Sequence, residues 1–174
     1  MLFRSGSVAV SVAPAAATGT VQLFDGTRRL GSATLSGGTA TIPLAARSLE
    51  VGRHVLVVKY LGSASYAASQ GTVTVTVVKS RPKVKVQKPE RIDAGDTARI
   101  AVDVTGDGYE ATGKVEIVLT LGRREIVVRK TLADGEVVAR VQVDEPGDWK
   151  VTATYLGDEH TLGGDDTTRL KVRR

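Results

Sequence analysis

The residues that most resemble a chemical site have the spacing G-x-x-x-x-G-K, formed by Gly108, Gly113 and Lys114. A phosphate-binding loop of this kind needs a Ser or Thr after the lysine and a helix whose first backbone amides face the phosphates. Val115 occupies the hydroxyl position, and the residues after it alternate as they do in a strand. The surroundings of the motif therefore argue against nucleotide binding.

The two histidines, His54 and His160, are the next candidates for chemistry. A histidine that acts as a general base needs an oriented partner and a nucleophile within reach. No Ser or Asp pairing repeats around the two positions, and the G-x-S-x-G spacing of a hydrolase nucleophile is absent. We therefore expect no enzymatic activity, and we place His54 on the wall of an amphipathic strand.

Two groups of carboxylates are candidates for calcium, which takes roughly six to eight oxygen ligands. Neither group has EF-hand spacing. The first group lies in the loop after Tyr155-Leu156, and the equivalent loop after Tyr60-Leu61, GSASYAASQG, contains no acid. Solvated surface groups are the favoured interpretation, so we expect neither a metal nor another cofactor. The first group contains Asp158, Glu159, His160, Asp165 and Asp166, and the second contains Asp103, Asp107 and Glu110.

The composition is that of a folded globular chain and excludes several classes of site. Of the 174 residues, 41% are hydrophobic and 25% are charged, which is not typical of disorder. Because cysteine is absent, there are no disulfides, thiolate nucleophiles or cysteine-ligated zinc ions. Residues 1–79 carry seven basic and two acidic side chains, which leaves 17 of each sign in residues 80–174. Solvated strand faces explain this excess better than an anionic partner, so we expect no nucleic acid.

Alternating β-branched residues predict strands along the whole chain. At the N-terminus, Val8, Val10 and Val12 alternate with small residues, which is typical of a strand with one buried face and not of a signal peptide. No stretch is long and apolar enough for a membrane-spanning helix, so we expect no membrane insertion. Turn pairs such as Asp134-Gly135 separate the alternating runs, and helical periodicity is missing. The sequence therefore predicts an all-β fold.

The sequence repeats itself with a period near 95 residues. Tyr60-Leu61-Gly62 recurs as Tyr155-Leu156-Gly157, and Thr18-Gly19 recurs as Thr112-Gly113. The period and the number of strands in each half are those of an immunoglobulin-like sandwich. We interpret the repeated Tyr-Leu-Gly as a corner between a strand and a loop.

The repeat predicts two tandem immunoglobulin-like β-sandwiches, residues 1–79 and 80–174. They are joined at the segment KSRPK, whose shortness and proline are expected to limit the swing between the domains. Trp149 is predicted to lie in the core, because it shares one face of a strand with other apolar residues. The lysines of PKVKVQK are predicted to face outward from an edge strand, which discourages edge-to-edge aggregation.

One strand of the second domain has no counterpart in the first. A strand around Val84 and Val86 precedes the strand ARIAVDV, whereas only six or seven residues precede the equivalent strand of the first domain. Either the chain is an excerpt of a longer array, or the first domain has an open sheet edge that a neighbour fills by strand addition. In addition, Val55 and Val57 take outward positions that Lys150 and Thr152 take in the second domain. The predicted interface residues are Val8, Val10, Val12, Val55 and Val57.

Three stretches of the first half carry a specific resemblance: TGTVQLFDG (18–26), LGSATLSGGTAT (30–41) and GRHVLVVKYLGSASYAAS (52–69). They resemble the bacterial Ig-like repeat family, which forms tandem arrays in large surface and secreted proteins and also occurs in bacteriophage structural proteins. The second half keeps the skeleton but departs from it at Trp149 and at Thr161-Leu162. The resemblance implies the sandwich fold, and it carries no catalytic residues.

The leading functional hypothesis is a non-catalytic structural or attachment module, a rigid tandem spacer on a bacterial cell surface or a virion. One alternative is a complete phage decoration or tail-appendage protein that docks through its first domain, which the starting Met1 and the lack of a signal peptide favour. The other is a carbohydrate- or calcium-binding accessory domain of an exported enzyme. We expect either a protein partner or an assembly contact at the first domain. The location is the cell surface if the chain is an excerpt, and the virion if it is complete.

Overall fold

The structure is a computed structural model that describes residues 6–106 and 110–174. All the regular elements in these ranges are β-strands, which confirms the all-β prediction. The chain divides into two compact units, Met1–Val78 and Lys79–Arg174, which we call unit 1 and unit 2. Met1, Asp107 and Gly108, which entered the predictions above, lie outside the described residues.

Unit 1 is a sandwich of a two-stranded sheet and a four-stranded sheet. The strand orders are β1-β4 and β3-β2-β5-β6, and all the pairings are antiparallel. Alternation directs one side of each strand into a shared core, where Leu23, Ile42 and Leu56 are fully buried. The strands are β1 (Gly6–Ser11), β2 (Thr20–Asp25), β3 (Arg28–Thr34), β4 (Thr39–Leu44), β5 (Gly52–Tyr60) and β6 (Ser69–Val77).

Unit 2 has the same plan with two additional strands. Its sheets have the orders β12-β9-β7 and β11-β10-β13-β14-β8, in which β7 pairs antiparallel with β9 and β8 pairs parallel with β14. Trp149 and Tyr155 of β13 are buried in its core, as the sequence predicts for Trp149. The strands are β7 (Lys83–Gln87), β8 (Arg91–Asp93), β9 (Thr97–Thr105), β10 (Lys114–Leu121), β11 (Arg124–Thr131), β12 (Glu136–Gln142), β13 (Gly147–Tyr155) and β14 (Gly164–Arg173).

The same turn precedes β4 in unit 1 and β12 in unit 2. Gly37 and Gly38 have φ angles of 60° and 72°, and Asp134 and Gly135 have φ angles of 53° and 76°. Two successive positive φ values define the tight turn that matches the twist of a β-hairpin, and Gly or Asp tolerates them best. The two turns therefore provide a common reference point for comparing the units.

A hydrogen bond at this turn aligns β1 with β9. Val12 donates its backbone N–H to the Gly38 carbonyl at 2.8 Å, and Val104 donates to the Gly135 carbonyl at the same distance. Val12 thus corresponds to Val104, and the inward residues before them correspond in the same register. β1 is therefore the counterpart of β9, and among the described residues unit 1 has no counterpart of β7.

The repeated Thr-Gly and Tyr-Leu-Gly motifs meet at one corner of each unit. Gly19 has a φ of 119°, and a Cβ there would lie 2.6 Å from the carbonyl oxygen of Gly62. Gly113 has a φ of 92°, and its Cβ would lie 2.8 Å from the carbonyl oxygen of Gly157. Only glycine fits this close approach of two backbones without strain. Both units contain this corner, so the Thr-Gly and Tyr-Leu-Gly motifs occur in both.

Candidate functional site

The predicted interface residues of β1 lie on its inward face but are only half-buried. Val8, Val10 and Val12 pack against the core of unit 1 without being covered. Their counterparts in unit 2 are almost completely covered, and the exposed fraction is 0% for Ile100 and Val102. Both strands have alternating apolar residues, so the difference must come from what lies beside them.

One edge of β1 pairs with β4, and the other edge has no strand beside it in the described part of the chain. Val12 donates its N–H toward the β4 side. Because N–H and C=O groups alternate in direction along an antiparallel strand, those of Ala9 and Ser11 point toward the other edge. This open edge therefore presents main-chain donors and acceptors in the spacing that a further strand requires.

Strand β7 occupies the matching edge in unit 2. Lys83, Lys85 and Gln87 pair with Thr105, Asp103 and Ala101 of β9. The valines between them, Val84 and Val86, turn inward and pack with the core of the unit. Strand β7 is what covers the inward residues of β9.

A groove runs along the open edge of unit 1, between β1 and β6. Its volume is about 370 Å³, and it is lined by Val8–Ala13, by Val58 and Tyr60 of β5, and by Ser69–Val73. None of these side chains is charged, and the inward ones are mainly apolar. The groove can accept an extended apolar segment, because such a segment would also satisfy the open backbone groups of β1.

The other two predicted interface residues lie on the opposite, outward face of unit 1. Val55 is 48% exposed, and Val57 is partly covered beside Phe24 of the neighbouring strand. The Lys59 Nζ atom lies 4.9 Å from the centroid of the Phe24 ring. The five predicted residues therefore belong to two separate surfaces, the groove and this outward patch.

His54 lies at the position that Trp149 occupies in unit 2. Its Nε2 donates to the Glu50 carbonyl at 2.9 Å, and its Nδ1 lies 2.8 Å from the Asp25 carboxylate. The Glu50 hydrogen bond raises the pKa of His54 above its ordinary value, and Asp25 adds to this rise, although burial acts in the opposite direction. Both ring nitrogens thus serve to hold the loop before β5, and the arrangement is that of a structural residue.

Asp158, in the acidic loop, is a structural acceptor. Its carboxylate accepts the backbone N–H groups of Thr112, His160 and Thr161 at 2.7–2.9 Å, and the Thr112 hydroxyl at 3.1 Å. Burial opposes its ionisation, but the bonds from these three backbone N–H groups and from the Tyr155 side chain outweigh burial and lower the pKa of Asp158 to about 2. In the described residues no cluster of three or more His, Cys, Asp or Glu side chains could hold a metal ion.

The remaining motifs also have structural roles. Lys114 begins strand β10, so the described part of the G-x-x-x-x-G-K motif leads into a strand and not into a helix. Asp103 accepts a hydrogen bond from the side-chain amide of Gln87 and helps to hold β7 against β9. Glu110 forms an isolated bridge with Thr105 next to the residues that the structure does not describe.

The comparison with known families gives a match in the first unit. Residues 4–78 match the model of the family described as bacterial Ig-like domain (group 3). Domains of this kind are structural modules, typically non-catalytic and usually found outside the cell or on its surface. No curated protein matches the chain. In the part of the chain that the structure describes, no helix is long and apolar enough to cross a membrane.

The structure also shows two features that the sequence patterns do not reveal. Strand β8 has only three residues, too few for alternation to be visible, and it pairs parallel with the distant β14. Ser80, in the segment interpreted as a linker, is only 4% exposed. It donates its N–H to the His160 carbonyl at 2.9 Å and accepts the N–H of Leu162 at 2.8 Å. These two hydrogen bonds make Ser80 part of unit 2.

Proposed function

We propose that the chain is a non-catalytic spacer and attachment module, in which two Ig-like sandwiches are joined by a connection too short for free rotation. The family model that unit 1 matches and the β-sandwich core of unit 1 support a mechanical role. The hydrogen bonds of His54 and Asp158 support it as well, because both side chains hold loops of their own unit in place.

The observation that carries the proposal is the position of Ser80. Strand β6 ends at Val77, and Ser80 is already hydrogen-bonded within unit 2. Only Val78 and Lys79 separate these points, and the Lys79 Nζ donates to the Asp158 carbonyl at 2.5 Å. A connection of two residues restricts orientation far more than a flexible linker of ordinary length does.

The test is the distribution of distances between the units in solution. Because the chain has no cysteine, Thr41→Cys and Arg140→Cys place one spin label on an exposed strand position in each unit. We expect pulsed electron spin resonance to give a narrow distance distribution. The control carries the same labels and eight Gly and Ser residues inserted between Val78 and Lys79, and its distribution should be much broader. Equal widths would contradict the spacer.

We further propose that this spacer is exposed on a bacterial cell or on a virion. Gold-labelled antibodies against the chain, used on intact producing cells and on purified particles, decide between the two settings. Label on the outside of cells supports the cell-surface setting, and label on particles supports the virion setting. Label confined to the cell interior would contradict both.

A further inference from the structure

We propose that unit 1 binds one extended segment of a separate polypeptide, which adds a strand to the open edge of β1 and fills the groove between β1 and β6. This binding activity goes beyond the spacer role. The segment is defined by its chemistry: apolar side chains at alternate positions and polar side chains between them. We call this location the strand seat, formed by the edge of Ala9–Ala13 and the facing residues of β5 and β6.

The edge of β1 has none of the features that normally prevent strand addition. Its outward residues, Ser7, Ala9 and Ser11, are exposed, small and uncharged. Natural sheet edges are usually protected by charged side chains, prolines or a covering element. In contrast, the equivalent edge strand of unit 2, β7, carries outward Lys83 and Lys85. The β1 edge is therefore suited to pairing.

Unit 2 shows the geometry of the occupied seat. Strand β7 runs antiparallel to β9, and the residues it pairs with correspond to Ala9, Ser11 and Ala13 of unit 1. Val86 also donates its N–H to the Asp166 carboxylate of β14 at 2.9 Å. By the alignment of β6 with β14, Gly71 takes the place of Asp166, and a Cβ at Gly71 would meet no atom within 4 Å. The seat in unit 1 therefore has free space at the position of the Asp166 side chain.

A second copy of the chain does not fit the strand seat. In unit 2 the far edge of β7 faces β14, as the Val86 hydrogen bond shows, so the seat admits a single strand. The β1 strand of a second copy is already paired with its own β4 and would bring that strand with it. The β7 strand of a second copy is packed in its own unit. These constraints favour a segment that is not part of a sheet before it binds.

The test uses the full chain and a fluorescent synthetic peptide with the sequence of Ser80–Lys88, SRPKVKVQK, as a model occupant. We expect saturable binding of one peptide per chain by fluorescence anisotropy. The control peptide has Val84→Ser and Val86→Ser and the same charge. It should bind about tenfold more weakly or worse, because it loses two buried apolar side chains.

Two pairs of variants locate the binding on unit 1. Ser11→Pro removes a backbone N–H that points to the open edge inside the seat. Ser7→Pro removes a backbone N–H from the same edge, but at a position that the added strand does not reach. Peptide affinity should fall about fivefold or more in Ser11→Pro and stay unchanged in Ser7→Pro. Gly71→Asp restores the carboxylate acceptor of unit 2 and should tighten binding about threefold, whereas Gly71→Ala should not.

Three results would overturn the proposal. The first is equal binding of the two peptides, or no binding of either by a chain whose circular dichroism shows it to be folded. The second is concentration-dependent dimerisation that Ser11→Pro abolishes while the peptide fails to bind, which would assign the edge to a second copy. The third uses a variant in which residues 82–96 are fused directly ahead of Ser5. If this fusion stabilises unit 1 although the free peptide does not bind, the strand seat belongs to a preceding segment of the same chain.

Discussion

Units 1 and 2 share one plan, but they differ in how completely each buries its inward residues. Unit 2 covers β9 with β7, and Ile100 and Val102 are fully buried. Unit 1 has the same alternation in β1, and its valines remain half-exposed. The alternation of a strand therefore predicts which face turns inward, whereas a neighbouring strand decides how far that face is removed from water.

A second difference lies in how each unit holds one loop, which precedes β5 in unit 1 and β13 in unit 2. Trp149 donates its indole N–H to the Glu145 carbonyl at 2.9 Å and fills the core beside it. His54 makes the corresponding bond to the Glu50 carbonyl, but it pairs with Asp25 and contributes little apolar area. Both units form this hydrogen bond, but only in unit 2 does the side chain also fill the core.

Truncation of Trp149 and of His54 tests this difference between the units. Trp149→Ala should lower the free energy of unfolding of unit 2 by about 3–5 kcal/mol, because it leaves a large cavity. His54→Ala should cost unit 1 only about 1 kcal/mol, the value of a lost hydrogen bond. Urea denaturation followed by circular dichroism measures both losses. Trp149 is the only tryptophan, so its fluorescence in the unaltered chain identifies the transition of unit 2.

Leu156→Ala is the control for that comparison, because Leu156 is 59% exposed and its truncation should change the stability of unit 2 very little. Equal losses from Trp149→Ala and His54→Ala would show that the two positions are equivalent. The packing difference between the units would then have no energetic consequence.

The loops after the Tyr-Leu-Gly corners give the next test. Asp158 N–H donates to the Thr161 carbonyl at 2.9 Å, and Ser63 N–H donates to the Tyr66 carbonyl at 2.8 Å, so the loops share a backbone shape. Only the loop of unit 2 has a carboxylate that accepts further N–H groups. Asp158→Ala should therefore cost unit 2 about 2–3 kcal/mol near neutral pH, whereas Ser63→Ala should change unit 1 little.

The lowered pKa of Asp158 gives the pH dependence of this contribution. The value falls from 3.8 to about 2 in the folded chain, so the stabilisation is complete above about pH 4 and is lost as the pH falls toward 2. Acid titration of the unit 2 unfolding midpoint should show this loss, and Asp158→Ala should remove it. An unchanged acid slope in Asp158→Ala would assign the dependence to other carboxylates.

The sequence predicts the parts of the fold that impose a local demand on residue type. The corner was predictable because Gly19 must accept a positive φ and a close backbone approach, and Gly113 must do the same. The inward position of Trp149 was predictable from alternation along β13. The signal lies in short stretches of sequence, which are the repeated Thr-Gly and Tyr-Leu-Gly motifs for the corner and one alternating strand for Trp149.

The remaining features depend on contacts between distant segments. Asp158 binds backbone N–H groups, which any residue can supply, so no sequence pattern marks its partners. The groove of unit 1 left a trace only as a gap in the alignment of the two halves, because it is formed by β1, β5 and β6 together. The sequence could suggest a missing strand, but it could not show the space that such a strand would fill.

The charge on His54 makes the stability of unit 1 depend weakly on pH. Because its pKa is raised in the folded chain, the stabilisation from the protonated ring is complete below about pH 6.5 and is lost as the pH rises through the folded value. Unit 1 should therefore unfold at a lower urea concentration at about pH 8 than at about pH 6, and His54→Gln should flatten this slope. Unit 2 has Trp149 at this position and gains no such dependence from it. If His54→Gln left the slope of unit 1 unchanged, the pairing with Asp25 and Glu50 would not stabilise the fold, and His54 would differ from Trp149 in packing alone.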